Sequence, residues 1–207
     1  MTNIHYFYDP MCGWCYGATP LIQAIEENPN LNLIVHPGGM IEKGVIPEHF
    51  KRHILNADPR IAELTGAKFG DAYVQRLKGD QEFILDSFLP IKAILVAETL
   101  GERSFNMLKS IQLAHYVKGT EVYKLSELEA LISSIGLDAS KWLDIMLSEE
   151  SEHMLTQTLQ NSHDFMRKLN ISGYPTLIVE SNNSFIKLPH EQYYSRQNDW
   201  VKYLTSI

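Results

Sequence analysis

The sequence predicts an α/β fold in which a large helical segment interrupts a strand-rich framework. Residues 2–40 have the pattern strand, helix, strand, and residues 171–207 have the pattern strand, strand, helix. Between them, residues 44–169 show mainly helical periodicity. We therefore expect a βαβ unit, a helical insertion and a ββα unit, with residues 1–43 and 170–207 forming one domain and residues 44–169 an inserted, all-helical subdomain.

The first block is a βαβ unit with a short apolar strand at residues 4–8. Asp9-Pro10 ends this strand, because a residue before proline disfavours the helical conformation. A helix is predicted from Cys12 to about Glu27, and a second strand at residues 31–36. This arrangement puts residue 12 at the carboxyl end of a strand, where open α/β sheets present their sites.

The segment 44–169 is far longer than the roughly 15 residues that a structureless loop tolerates. The residues typical of helix ends in this segment predict a helix that begins at Ser87 and Pro90 and ends at Gly101. A capping box at Ser126-Glu127-Leu128-Glu129 predicts a helix that ends at Gly136, and Asp138 is expected to cap the next one. A long helix then returns the chain to the sheet near Ile171, and we expect the insertion to cover the site at residue 12.

The last block predicts strands at residues 176–179 and 184–188. A hairpin-type turn at Ser181-Asn182-Asn183 joins them. A final helix is expected to pass through Tyr193, Tyr194 and Trp200.

Cys12-Gly13-Trp14-Cys15 contains both cysteines of the chain and predicts thiol chemistry. Two cysteines three residues apart at a helix start lie on one face, so they can form a disulfide or open to a dithiol. The helix N-terminus favours the thiolate form of a cysteine, which makes Cys12 the expected nucleophile. Cys15, one turn further along, is the expected resolving thiol.

The same spacing is also found in zinc sites, which normally have four ligands. Only His49 and His53 have helical ligand spacing, and they are better explained as two solvated residues on an amphipathic helix. We therefore expect no metal.

A second motif lies at Gly173-Tyr174-Pro175-Thr176, where a turn and a proline open an apolar strand. Proline cannot donate a hydrogen bond to a neighbouring strand. The motif therefore either simply marks the start of a strand or forms a special turn with a cis peptide bond. Its combination with the early cysteine pair is more informative than either motif alone.

The sequence resembles the DsbA-like group of thioredoxin-fold proteins, in particular its members that lack a leader and are described as disulfide isomerases. The resemblance spans almost the whole chain, and three segments carry it: residues 9–17, residues 33–40 and residues 173–176. It implies a thioredoxin fold with a helical insertion. It also implies that Pro175 is a cis-proline facing the disulfide, and that the Tyr174 backbone pairs with an extended substrate beside Cys12.

The chain departs from this family pattern at Tyr6, where relatives commonly carry a buried acid that moves the proton of the resolving thiol. Asp9 is a possible substitute, although ending the strand before Pro10 explains it as well. Gly13-Trp14 differs from the dipeptides of thioredoxin and DsbA. Trp14 is expected either to pack under the helical insertion or to offer an apolar platform to substrate.

Composition narrows the possible partners. The 207 residues include 44% hydrophobic and 21% charged residues, which suits an ordinary globular protein, and the formal charge of −7 argues against nucleic acid and anionic membranes. No apolar run approaches 18 residues and no secretory signal is recognisable, so we expect a cytoplasmic protein. In that reducing compartment, a lone cysteine pair is typical of catalysis.

The sequence therefore predicts a thiol–disulfide oxidoreductase or isomerase that acts on protein, peptide or small thiols. Its expected redox group is the Cys12–Cys15 disulfide, with no other cofactor and with glutathione as a possible redox partner. Two alternatives stay open at this point. One is a glutathione-linked transferase or isomerase of the kappa-like group, whose members typically carry serine at the Cys12 position. The other is a non-catalytic module that binds a peptide, or a metal through the thiols with His49 and His53. The sequence does not indicate an oligomeric state.

Overall fold

The computed structural model describes residues 1–181 and 184–207. The strands in this part of the chain are β1 (Thr2–Tyr8), β2 (Leu31–Pro37), β3 (Gly44–Val45), β4 (Ile84–Leu85), β5 (Thr176–Ser181) and β6 (Ser184–Lys187). The helices are α1 (Gly13–Gly17), α2 (Thr19–Glu26), α3 (Glu48–Thr65), α4 (Asp71–Lys78), α5 (Phe88–Thr99), α6 (Ser104–Tyr116), α7 (Leu125–Ser134), α8 (Ala139–Met146), α9 (Glu149–Lys168) and α10 (Gln197–Leu204).

The main sheet has the strand order β2-β1-β5-β6. β1 is parallel to β2 and antiparallel to β5, and β5 is antiparallel to β6. β1 is therefore paired on both edges and is almost fully buried. The order of strands and helices confirms the predicted α/β fold. The predicted turn between β5 and β6 includes Asn182 and Asn183, which lie outside the described residues.

The single helix predicted from Cys12 to Glu27 is wrong in one respect, because it is divided at Ala18. Pro20 stands in the first turn of α2 and has no N–H to continue the hydrogen-bond ladder of α1. The break leaves α1 only five residues long. α1 therefore carries the cysteine motif as a separate short helix directly after the carboxyl end of β1.

The segment between β2 and β5 is helical except for one short ladder of β3 with β4, which the periodicity does not predict. α5 packs against α6, α8 and α9, and its faces are almost entirely buried. Asp138 caps α8 as expected, by accepting the Lys141 N–H at 3.1 Å. The predicted capping box is wrong, because α7 begins at Leu125 without a side-chain cap.

The C-terminal segment also differs from its prediction. Tyr193 ends a short 3₁₀ turn (His190–Tyr193), Tyr194 lies in the turn that follows, and the true helix starts only at Gln197. α10 packs on α2, and Trp200 donates its indole N–H to the Leu21 carbonyl at 2.9 Å. Both tyrosines therefore lie outside the helix, and the Tyr194 ring stacks on Trp14 of the cysteine motif.

The backbone at Gly70, the residue before α4, lies very close to the backbone at Val117. Its φ of −75° suits any residue, but a Cβ there would lie 2.0 Å from the Val117 carbonyl oxygen at the end of α6. We expect Gly70→Ala to lower the free energy of unfolding by at least about 2 kcal/mol, because backbone cannot move aside as a side chain does. Urea denaturation measures the loss.

Gly44→Ala is the matched control, because its Cβ would meet nothing closer than 3.9 Å. A Gly70→Ala protein as stable as Gly44→Ala would contradict this account of the α4–α6 contact.

Candidate active site

Cys12 lies just beyond β1 and forms the N-cap of α1. Its extended backbone (φ −88°, ψ 113°) turns the side chain back over the helix, where its Sγ accepts the Cys15 N–H at 3.4 Å. The residue is 8% exposed, whereas Cys15 is fully buried. Both are free thiols, so the two sulfurs differ mainly in their access to solvent.

Burial raises the pKa of the Cys15 thiol well above its ordinary value, and the neighbouring Cys12 sulfur raises it further. The backbone N–H of Asp9 opposes this effect only in part. Cys15 therefore holds its proton at neutral pH, which is the property that a resolving thiol requires until a mixed disulfide forms beside it.

The Tyr174–Pro175 segment meets Cys12 from the other end of the chain. The Tyr174–Pro175 peptide is cis, and the Cys12 thiol donates to the Tyr174 carbonyl oxygen at 3.7 Å. The Tyr174 ring lies against Gly38, where a Cβ would be 2.3 Å from the ring carbon Cζ. The structure thus brings together Cys12, Tyr174 and Pro175.

Trp14 lies between two depressions in the surface. Its ring stacks on Tyr194 with centroids 6.0 Å apart. On one side is a cavity of about 280 Å³, here called the Cys12 cavity, whose lining includes Cys12, Trp14, His53, Asp58, Tyr73 and Tyr174. On the other is a depression of about 480 Å³, here called the Pro175 groove, lined by Trp14, Arg60, Leu64, Tyr174, Pro175, Glu191 and Tyr194. Trp14 is therefore both packed and available to a ligand.

Gly13 lets the helix α3 approach the cysteine motif closely. A Cβ at Gly13 would lie 3.0 Å from Ile61 Cδ1, and one at Gly17 would lie 2.9 Å from both Ile61 and Thr65. α3 thus covers α1 and forms a wall of the Cys12 cavity.

Tyr6 and Asp9 are both buried near the cysteines. Tyr6 donates its hydroxyl to the Cys15 carbonyl at 3.5 Å, and burial raises its pKa well above the usual value. The Asp9 carboxylate accepts the N–H groups of Met11 and Met40, at 2.9 and 2.6 Å, and the Ser87 hydroxyl at 2.7 Å. Its side-chain oxygens are therefore occupied by structural hydrogen bonds.

His49 and His53 lie on α3 and are both exposed. His53 lines the Cys12 cavity, but His49 does not. Over residues 1–181 and 184–207, no group of three or more His, Cys, Asp or Glu side chains is arranged to hold a metal ion.

Asp58 is the residue of the site that the sequence reasoning missed. It is 7% exposed, lines the Cys12 cavity, and accepts the Tyr73 hydroxyl through Oδ2 at 2.9 Å. The signal was present, because Asp58 falls on the buried stripe of α3 that includes Ile61 and Thr65. A carboxyl group on an apolar helix face is unusual unless it is paired or functional.

A free cysteine with slight exposure, a buried partner one turn later and a facing backbone carbonyl are the groups that thiol–disulfide exchange requires, and here they stand on a thioredoxin-type fold. Among solved structures, the cytosolic disulfide reductase DsbM from Pseudomonas aeruginosa has a TM-score of 0.88 and 34% identity, with 99% of this chain and 97% of that chain covered. Its structure with GSH gives a TM-score of 0.86 and 33% identity, covering 99% of this chain and 98% of that one.

A putative protein disulfide isomerase from Nitrosomonas europaea, at 24% identity and a TM-score of 0.78, shares the fold over 99% of this chain and 98% of its own. The chain belongs to the DsbA-like thiol–disulfide oxidoreductases. Neither a scan of protein-family models nor a search of curated proteins returned a match. Within the described residues, no helix is both long and apolar enough to cross a membrane.

The buried position of Asp58 makes a prediction about stability. Burial raises its pKa from 3.8 to about 6, against the lowering effect of the Tyr73 hydrogen bond. Because the folded pKa is the higher one, its contribution to stability is present below about pH 3.8 and is lost as the pH rises through about 6. Ionised Asp58 therefore costs up to about 3 kcal/mol at pH 7.

We expect Asp58→Asn to raise the free energy of unfolding by about 1–3 kcal/mol at pH 7, since asparagine can still accept the Tyr73 hydroxyl. The gain should disappear near pH 4, as measured by denaturation across pH. Asp80→Asn, which removes an exposed carboxylate, is the control and should change stability little. A destabilised Asp58→Asn protein at pH 7 would contradict the prediction.

Proposed function

We propose that this protein is a disulfide reductase in which Cys12 is the nucleophile and Cys15 the resolving thiol. The observation that carries the proposal is the difference between the two sulfurs. Cys12 has access to solvent and lies 3.7 Å from the Tyr174 carbonyl, whereas Cys15 is fully buried and has a raised pKa. The accessible sulfur meets substrate, and the buried one remains protonated until it is needed.

The reaction consists of two exchanges. The Cys12 thiolate attacks one sulfur of a substrate disulfide, and the other sulfur leaves and takes up a proton. Cys15 then loses its proton and attacks the Cys12 sulfur, which releases the second substrate thiol and leaves a Cys12–Cys15 disulfide. Two electrons pass from the protein to the substrate. Two molecules of a thiol such as glutathione restore the dithiol and are themselves oxidised to their disulfide.

The substrate is proposed to lie along Trp14, Tyr174 and Pro175. Pro175 has no N–H, so the segment before β5 presents its carbonyls to an extended chain rather than continuing a ladder. The Pro175 groove runs beside this segment, and Trp14 gives it an apolar wall. Gly13 supports the site because its lack of a side chain lets α3 pack closely against α1. Asp9 and Tyr6 stabilise the surrounding backbone through their hydrogen bonds.

Three further features belong to this proposal. Glutathione is the proposed electron source, and the related Pseudomonas protein, described as a cytosolic disulfide reductase, has a structure with GSH. A cytoplasmic location is proposed as well, supported by the description of that relative as cytosolic. Residues 44–169 are proposed to be a subdomain inserted into residues 1–43 and 170–207, which is supported by the main sheet, whose four strands all lie outside residues 44–169.

Cysteine variants test the roles of the two sulfurs. We expect Cys12→Ser to lower insulin reduction by at least roughly 100-fold, because it removes the attacking sulfur. In Cys15→Ser protein, Cys12 can still attack a substrate disulfide, but no second thiol is present to release the product. We therefore expect a mixed disulfide of Cys12 with substrate or glutathione to accumulate, and mass spectrometry detects it. Cys12→Ser is the matched control for trapping. If Cys12→Ser retains activity, or Cys15→Ser traps nothing, the assignment is wrong.

The direction of electron flow is tested by the potential of the Cys12–Cys15 pair. Equilibration in glutathione buffers, followed by tryptophan fluorescence, should give a value near about −270 mV, as for known reductases. A value of roughly −120 to −180 mV would instead indicate an oxidant or isomerase. Failure to form the disulfide would contradict the proposed function altogether.

A further inference from the structure

Asp58 is the buried carboxyl group with the fewest hydrogen bonds among three comparable ones. Asp9 accepts three donors, and Asp86 accepts the N–H groups of Phe88 and Leu89. Asp58 accepts only the Tyr73 hydroxyl, through Oδ2, although it is 7% exposed. Oδ1 has no hydrogen-bond partner among the described residues, and it is not one of the fully enclosed side-chain atoms, so it keeps access to solvent and to a ligand.

The second oxygen, Oδ1, faces the cysteine motif. A Cβ at Gly13, the residue after Cys12, would lie 3.4 Å from Asp58 Oδ1. Asp58 and Cys12 both line the Cys12 cavity. The unpaired oxygen and the reactive sulfur therefore share one small space.

No cation of the described chain neutralises this oxygen. Arg76, on α4, directs its guanidinium to the Gly119 carbonyl and to Glu121. Lys51, on the same helix as Asp58, donates to the Gly79 carbonyl. The other walls of the cavity are largely apolar or aromatic, with His53 as the only exposed titratable side chain on the described lining.

We infer that Asp58 binds the ammonium group of a small disulfide substrate while Cys12 attacks its sulfur. This inference rests on the proposed function and adds the substrate class, which is the disulfide of a short aminothiol. The ammonium donates to Oδ1, and the Tyr73 hydroxyl keeps Oδ2 in place. A cavity of about 280 Å³ is near the lower limit for small-molecule sites, so it suits a short chain between nitrogen and sulfur.

The chemistry is the exchange already described, with no additional reactant. Cys12 forms a bond to one sulfur of the disulfide, the other aminothiol leaves with a proton, and Cys15 then releases the second one. Asp58 is not consumed and transfers no electrons. Its contribution is to orient the substrate and to replace the water that the ammonium loses on entering the cavity.

Two probes separate this role from a general effect on reactivity. Cystamine and bis(2-hydroxyethyl) disulfide have the same two-carbon arms, and they differ in carrying ammonium or hydroxyl groups. The ratio of their kcat/KM values is measured for the wild type and for Asp58→Asn. Any change in Cys12 reactivity affects both probes and cancels, so the change in this ratio reports recognition of the ammonium.

We expect Asp58→Asn to lower the cystamine preference about 10- to 100-fold, as suits the loss of one hydrogen-bonded charge pair. Asp58→Glu should restore part of the preference. Asp80→Asn is the charge-matched control and should keep the wild-type ratio. A lost cystamine preference in Asp58→Asn beside a wild-type ratio in Asp80→Asn would support the inference most directly.

The contrary outcomes are distinct. The inference is overturned if Asp58→Asn leaves the ratio of kcat/KM values for the two probes unchanged. It is also overturned if Glu191→Gln loses the cystamine preference while Asp58→Asn keeps it, because the ammonium would then lie in the Pro175 groove. Reduction of insulin but of neither probe overturns the inference and leaves the proposed function standing. Reduction of neither insulin nor the probes means that the proposed function itself has failed.

Discussion

The pairing of β1 with β5 is the constraint on which the rest of the site depends. Phe7 lies opposite Thr176 in this antiparallel register. The residues just before Thr176 are Tyr174 and Pro175, and the chain leaving β1 reaches Cys12 a few residues after Phe7. The register therefore brings together two segments that are 162 residues apart in the sequence. A slip of one residue would turn the side chains of β5 to the wrong face and displace the Tyr174 carbonyl from Cys12.

The Asp9 carboxylate holds the loops around this pairing. It binds the N–H of Met40, which follows the turn after β2, and the hydroxyl of Ser87, which precedes α5. The same turn contains Gly38, against which the Tyr174 ring packs. One buried anion thus connects the end of β1, the turn after β2 and the start of a core helix. This explains why an acid is present here even though its oxygens are not free for chemistry.

The local parts of the fold were predictable because local sequence determines them. Adjacent residues are enough to predict the cysteine motif, the proline before β5 and the cap at Asp138. The break at Ala18 follows from Pro20, although a proline in the first turn of a helix does not by itself reveal that another helix ends just before it. The capping box failed because the helix began at Leu125, one residue before the predicted cap, so Ser126 lies inside it. The small ladder of β3 and β4 joins two short segments far apart in sequence, which periodicity cannot detect.

Asp58 shows a different limit of sequence reasoning. Its place on the buried stripe of α3 is visible in the sequence, but its significance depends on which surface that stripe covers. The covered surface is α1, and it is accessible only because Gly13 and Gly17 lack side chains. The two glycines therefore bring a carboxyl group to the cysteine motif from a helix far along the sequence. The residue belongs to the site by packing rather than by motif.

The position of Trp14 suggests how one sulfur could serve two sizes of substrate. Cys12 is only 8% exposed, so a folded surface cannot press directly against it. The stacked pair of Trp14 and Tyr194 divides the approach into the Cys12 cavity, where Asp58 lies, and the Pro175 groove, where Arg60 and Glu191 lie. Under the proposed function, an extended polypeptide lies along the Pro175 groove and a short disulfide enters the Cys12 cavity. Both kinds of substrate must reach the Cys12 sulfur, and both spaces are lined by Trp14 and Tyr174, so the two kinds of substrate should compete.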